Sequence, residues 1–180
     1  MADQLSAQDW LDQGLRTLAR DGFTALKAEP LAKTMGVSRG SFYWHFADIA
    51  AYHAAVLGRW REVALDNIIA DVEQAPPEEL PLHRLLRRVF AARPALEAAV
   101  RSWATHDAAA RRTVQAVDRR RLAYVEGLLT AGGVPAAAAP VRAQILYWTF
   151  LGFALSDRTA PSDRPAALVD ELVRMAGARG

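Results

Sequence analysis

The side chains of this 180-residue chain best suited to recognition chemistry gather in one short run, Glu29 to Phe46, EPLAKTMGVSRGSFYWHF. Within it stand Arg39, Ser41, Tyr43, Trp44 and His45, which together offer hydrogen-bond donors and flat apolar faces with little excess charge. Such a set suits clamping phosphate oxygens and touching the edges of bases. Catalysis has no comparable cluster. The chain has no cysteine, no Gly-x-Ser-x-Gly elbow and no phosphate-binding glycine loop, and His45, His53, His83 and His106 are scattered without metal-ligand spacing. No catalytic residue, metal site or cofactor is expected.

Two short helices joined by a tight turn would hold these side chains outward. That arrangement needs a small residue where the helices cross, a glycine in the turn and an apolar plug just after it. Ala32, Gly36 and Val37 meet those needs, and Phe42 can pack back from the second helix. Pro30 suits the first helical position of one helix, and Ser38 can cap the other, predicted over Arg39 to His45. Neighbouring Tyr43 and Trp44 cannot both face one core on so short a helix, so they are expected on the surface, while Phe42 and Phe46 serve the interior.

The flanking sequence supplies the support. Ser6 and Asp9 form a capping-box pattern, Leu11, Leu15 and Leu18 keep one face apolar, and Gly22 ends that first helix, with Phe23 folding back. Asp48 starts a long helix with Tyr52, Val56, Trp60, Val63 and Asn67 along one side, then Ile68 and Val72. Unbroken to Gln74, it would span on the order of 40 Å. APPEELP, residues 75–81, is the clearest break. A second helical set follows: one from Leu82 to Phe90, one opened by Pro94, one capped by Asp107 and stopped at Gly132-Gly133, one after Pro140, and one carrying Leu168 to Met175 beyond a Pro161–Pro165 break. The expected fold is all-α with about nine helices, without strands or internal repeats.

Composition bounds the reading. A hydrophobic fraction of 52% supports a real core, so disorder is excluded. Net charge is +2, but residues 1–65 hold seven cations and seven anions, so bulk charge lends nucleic-acid binding no support and local arrangement must carry it. The start MADQLSAQDW lacks the basic and apolar regions of a secretory signal, and the most apolar stretch, Ile145 to Leu155, has about half the roughly 20 residues a membrane helix needs. A cytoplasmic protein without membrane association is expected.

GVSRGSFYWHF followed by an acidic helix start resembles the recognition-helix signature of the tetracycline-repressor (TetR) family of transcriptional regulators. The Gly22-Phe23 helix end and the long helix from Asp48 resemble the family too, the similarity covering roughly residues 6 to 60. AVRSWATHDAAARRTVQAVDRRRLAYVEGLL resembles a ligand-domain segment of one family branch. The resemblance implies a helix-turn-helix DNA-binding domain over 1–60 and a helical ligand-binding and dimerisation domain over 61–180. It implies a regulator, usually a repressor, that binds palindromic operator DNA as a homodimer and is released by a small molecule. It places Ser38, Tyr43 and His45 mainly on phosphates and turns Arg39, Gly40, Ser41 and Trp44 toward bases, with Lys27 an extra contact. Two positions depart from the family pattern: Ile49 stands where a lysine usually touches the DNA backbone, and Lys27-Ala28 replaces a common threonine. Both lower the expected non-specific affinity. The alternative is a module of this fold that binds a ligand or a protein and has lost DNA.

Trp60, Phe90, Trp103, Tyr124 and Tyr147 are candidates for lining an effector pocket, with plain core packing as the other reading. His106 is open between helix cap, pocket donor and surface residue. Arg111, Arg112 and Arg119-Arg120-Arg121 read as a solvated helix face or a site for an anionic ligand or partner. The helix from Val141 to Leu155 is apolar nearly all round, so one chain cannot cover it. Phe150 and Leu151 there, with Leu168 and Leu172 on the last helix, are expected at a four-helix interface between two copies.

Overall fold

The computed structural model describes residues 5–76, 78–91, 95–156 and 165–177, and every regular element among them is helical. In chain order these are α1 (Ala7–Asp21), α2 (Ala28–Thr34), α3 (Arg39–His45), α4 (Ile49–Arg61), α5 (Asn67–Glu73), α6 (Pro81–Ala91), α7 (Ala95–His106), α8 (Ala108–Ala131), α9 (Ala139–Leu155) and α10 (Pro165–Ala176). The helix opening assigned to Pro94 and the break from Pro161 fall on residues outside those described. No helix among the described residues is long and apolar enough to cross a membrane.

Side-chain caps set several helix starts. Ser6 and Asp9 form the expected reciprocal box at α1, with Ser6 N donating to Asp9 Oδ2 at 2.8 Å and Asp9 N to Ser6 Oγ at 3.3 Å. Asp48 accepts from Ala51 N at α4, and Asp107 accepts from Ala110 N at α8, each at 2.7 Å. Ser38 occupies the N-cap position of α3, but its side chain makes no capping bond. Gly22 and Gly133 take the positive φ that lets the chain leave α1 and α8.

The chain packs as two units, Met1–Val63 with Ala95–Val114 and Ala64–Pro94 with Gln115–Gly180. In the first, α7 joins the N-terminal helices, an association that no local sequence signal carries. Phe23 stacks on Trp103 with ring centroids 4.5 Å apart, and His53 meets both rings edge-on. Glu97, buried on α7, is paired one turn on with Arg101 at 2.8 Å. Arg111, exposed as expected, also donates to the carbonyls of Ala104 and Thr105, closing the end of α7.

The second unit takes its core from α5, α6, α8, α9 and α10, with Val72, Leu86, Leu129, Leu146 and Val169 among its buried members. Arg84 on α6 bridges Asp71 of α5 and Glu79 of the intervening turn at 2.9 and 2.8 Å, holding both carboxylates with one guanidinium. Tyr147 of α9 donates to Asp118 of α8 at 2.5 Å.

The long helix predicted from Asp48 is interrupted. Residues Glu62–Asp66 form a π turn between α4 and α5. The buried stripe runs Tyr52, Val56, Trp60 and then jumps five residues to Leu65 before reaching Val72. One residue inserted by the wider turn rotates the later positions, which is why Asn67, expected on the apolar side, is exposed. Arg121 supports this turn by donating to the Ala64 carbonyl at 3.0 Å.

In the first unit α1 and α4 approach closely at Gly14. Tyr52, fully buried, donates its hydroxyl to the carbonyl of Trp10 at 2.9 Å, and burial pushes its phenol pKa up. Gly14 makes this possible, since a Cβ there would lie 2.3 Å from Tyr52 Oη and 3.0 Å from Val56 Cγ2. Alanine at a helix interior ordinarily gains about 1 kcal/mol over glycine. Here it must displace an anchored hydroxyl and overpack the core, each costing about 1–3 kcal/mol, so the clash wins. Gly14→Ala is expected to lower the unfolding free energy by about 2 kcal/mol in urea denaturation, with overpacking the larger part. Adding Tyr52→Phe should recover some of that loss, and a strictly additive double-mutant cycle would show that the hydroxyl is not the obstacle.

Candidate nucleic-acid interface

α2 and α3 are set at their angle by the turn between them. Gly36 takes φ +70, Gly36 N donates to Lys33 O at 3.2 Å, and Val37 N donates to Ala32 O at 3.0 Å. Ala32 is buried at the crossing and Val37 half-buried behind the turn, as their sizes require. α3 is then fixed by one residue. Phe42 is wholly buried, edge-on to Trp10 at 5.4 Å and Tyr52 at 5.1 Å, with Phe46 5.3 Å away. Because Phe42 points inward, its neighbour Trp44, two positions along, must point out.

Trp44 is 83% exposed and Tyr43 47%. Such apolar area held in water on a seven-residue helix contributes nothing to this chain's core, and it is available to a partner. Arg39, one turn before Tyr43, donates from Nη2 to the Tyr43 hydroxyl at 3.1 Å and lies 5.5 Å over its ring. Gly40 is exposed, and a Cβ there would make only ordinary contact with Ser38 Oγ at 3.5 Å. Its lack of a side chain is therefore not needed by the chain itself and leaves room for close approach from outside. Ser38 is exposed, while Ser41 and His45 are half-buried at the edges of the same surface.

Beside α3 lies an open groove of about 690 Å³. Lys27, Lys33, Arg39, Tyr43 and Ile49 line it with Glu29, so three cations face one carboxylate. Lys33 was not singled out in the sequence. Its separation of six residues from Lys27 carries no periodic signal, and only the turn of α2 beside α3 brings both to one groove. Behind the groove, the His53 ring donates from Nε2 to the Leu26 carbonyl at 3.0 Å, fixing the backbone that leads into Lys27.

The effector candidates fall in both units. Trp60, Trp103 and His106 belong to the first unit and Phe90, Tyr124 and Tyr147 to the second. Trp60, Trp103, Phe90 and Tyr147 are buried, Tyr124 is half-buried and His106 is exposed. Phe90 and Tyr147 share the ring of Phe150, at 6.4 and 6.2 Å. Phe150, expected at a subunit interface, is half-buried against the chain's own core, with the Arg121 guanidinium 5.4 Å over its ring. Leu151 is half-buried, Leu172 buried and Leu168 exposed. The side chains of α9 left outside are Val141, Ile145, Trp148 and Leu155.

This division between scaffold and surface has a measurable consequence. Phe42→Ala should cost about 3–5 kcal/mol of stability, the usual loss for a buried phenylalanine. Trp44→Ala should leave the denaturation midpoint within about 0.5 kcal/mol of wild type, as for a surface substitution. Equal losses in urea titrations of the two variants would mean that Trp44 is packed.

Residues 11–51 match the family described as bacterial regulatory proteins, tetR family. No curated protein matches the chain. Among solved structures, E. coli NemR in its reduced form superposes with a TM-score of 0.76 at 18% identity, covering 97% of this chain and 97% of that one. A transcriptional regulator from Rhodococcus sp. Rha1 gives 0.74 at 18% identity, over 96% of this chain and 94% of that one. BioQ, solved with its natural double-stranded DNA operator, gives 0.54 at 18% identity, over 98% and 100%. Likeness at these identities speaks for the fold alone. The family match is what reaches function, and it falls on α1 to the start of α4, the helices that carry and support the exposed face of α3. Residues 11–51 thus resemble the tetR family of bacterial regulatory proteins, and the chain shares its fold with solved transcriptional regulators.

Proposed function

We propose that this regulator acts in the cytoplasm as a homodimeric repressor, binding a palindromic operator through two copies of α3 and leaving it when a small molecule binds. The observation that carries the DNA part is the outward face of α3, where Trp44 stands in solvent beside a groove edged by Lys27, Lys33 and Arg39. The structure of BioQ with its operator supports the same use of the fold. Two α3 helices in a dimer reach successive major grooves when half-sites lie about one turn, roughly 34–36 Å, apart. Ser38, Tyr43 and His45 serve chiefly the backbone and Trp44 the bases, with Gly40 and Ser41 beside it.

A partner subunit is supported by the outer side of α9. Val141, Ile145, Trp148 and Leu155 follow 4-3-7 spacing, with Gly152 completing the row, and Leu168 and Met175 are exposed on neighbouring α10. Val141, Trp148 and Met175 each leave more than three-fifths of their surface in water. A second copy of the same two helices buries that stripe by two-fold symmetry. Trp148→Glu is expected to give monomers in sedimentation velocity, while a wild-type chain that stays monomeric at micromolar concentration would remove the dimer.

The effector is proposed to be small and largely apolar, bound by the C-terminal half of the chain. Linkage requires operator DNA to weaken the effector by the factor that the effector weakens DNA, typically about 5- to 150-fold. Tryptophan quenching by candidate compounds with and without operator reads that factor, and identical binding in both would leave a passive repressor.

A second reading, a module of this fold that no longer binds DNA, is favoured by one feature. Ile49 puts an apolar side chain into the cationic groove. Gel shifts with the promoter regions of its own and adjacent genes separate the readings. Under the first, Ile49→Lys should tighten binding to any duplex and steepen its salt dependence by about one unit. A chain that shifts none of these promoters supports the second.

A further inference from the structure

We propose that Arg39 and Tyr43 form a phosphate clamp with Lys27 and Lys33, leaving the reading of bases to Trp44 with Ser41. This rests on the DNA-binding function above and departs from the expectation that Arg39 faces bases. Helix geometry divides α3 into two stripes. Residues four apart lie one above the other, so Arg39 stands over Tyr43, while Gly40 and Ser41 stand over Trp44. The first stripe turns to the groove: Arg39 and Tyr43 both line it with Lys27 and Lys33, and Trp44 does not.

The Arg39–Tyr43 bond explains how a guanidinium on an exposed helix is held there. The phenol oxygen accepts from Nη2 at 3.1 Å, and the ring lies beneath the guanidinium. Accepting that bond leaves the phenol hydrogen directed elsewhere, so Tyr43 can donate to the same anion that Arg39 holds. Guanidinium nitrogens present parallel N–H groups that match two oxygens of one phosphate, and the two lysines add point charges around it. Glu29 offsets one of the three cations, and the groove keeps a surplus of two positive charges. Trp44 brings a broad apolar face and a single N–H donor, which suits a thymine methyl rather than a phosphate. Tyr43 is a positioning residue for Arg39 as well as a contact.

The test uses the full chain, an operator selected from random duplexes, and a panel of its single-base variants titrated at several salt concentrations. Arg39→Ala is expected to weaken every duplex by a common factor of about ten, keep the ranking of variants, and reduce the salt slope by about one. Arg39→Lys should keep the slope while losing part of the affinity, and Tyr43→Phe should weaken all duplexes evenly. Trp44→Ala should compress the ranking at one or two base pairs. Thermal melts of the four variants matching wild type establish that each acts at the interface. Loss of discrimination at a single base pair in Arg39→Ala, with an unchanged salt slope, would overturn the clamp and return Arg39 to the bases. Failure of the wild-type chain to select any duplex would instead defeat the DNA-binding function, and the clamp with it.

Discussion

A hydroxyl reaching a backbone carbonyl through the space of a missing side chain holds the N-terminal helices together. Tyr52 of α4 meets the Trp10 carbonyl of α1, and only the absence of a Cβ at Gly14 lets the two helices come that close. The rings of Trp10, Phe42, Phe46 and Tyr52 then close around one another at centroid distances near 5 Å. In an interior this tightly filled, no neighbour can move without moving the rest. The orientation of α3 follows, and with it the direction in which Tyr43 and Trp44 face. A helix of seven residues is too short to be stable by itself. Its shape is imposed by the pocket that receives Phe42.

Electrostatics works on a smaller scale than the net charge implies. Residues 1–65 carry equal numbers of cations and anions, yet many of the anions are engaged away from α3. Asp9 is held in the capping box, where bonds from Ser6 lower its pKa, Asp12 and Glu62 are paired with Arg59, and Asp21 with Arg20. Asp48 caps α4. The groove beside α3 therefore presents cations against a single carboxylate, a local field that a sum over the sequence conceals.

The arginines of α8 show the same contrast between composition and placement. A run that reads as one solvated face divides into separate tasks. Arg111 closes the end of α7, Arg121 is half-buried against the π turn and the Phe150 ring, and Arg112, Arg119 and Arg120 remain exposed. Guanidinium groups have five donors and a flat face, so they can satisfy stray backbone carbonyls and cover aromatic rings at once.

By itself the sequence determined most of the helices, several of their caps, and the resemblance of the N-terminal helices to the tetR family, because these depend on local order: periodic apolar residues, Ser6 with Asp9, Asp48, Asp107, and the run GVSRGSFYWHF. It also separated the buried Phe42 from the exposed Tyr43 and Trp44, since adjacent residues on a helix cannot face one core. Tertiary structure decided what local order does not encode. The π turn at Glu62–Asp66 moved the buried stripe from a predicted Val63 to Leu65, because the packing of both flanking helices sets their register. It placed α7 with the N-terminal helices through the Phe23–Trp103 stack, a contact eighty residues apart in sequence. It turned Phe150 inward against Phe90 and left Ile145 and Trp148 outside, a choice that a helix apolar on every side leaves to its neighbours. And it brought Lys33 to the groove of Lys27 and Arg39, since side chains of α2 and α3 meet only when those helices have been packed.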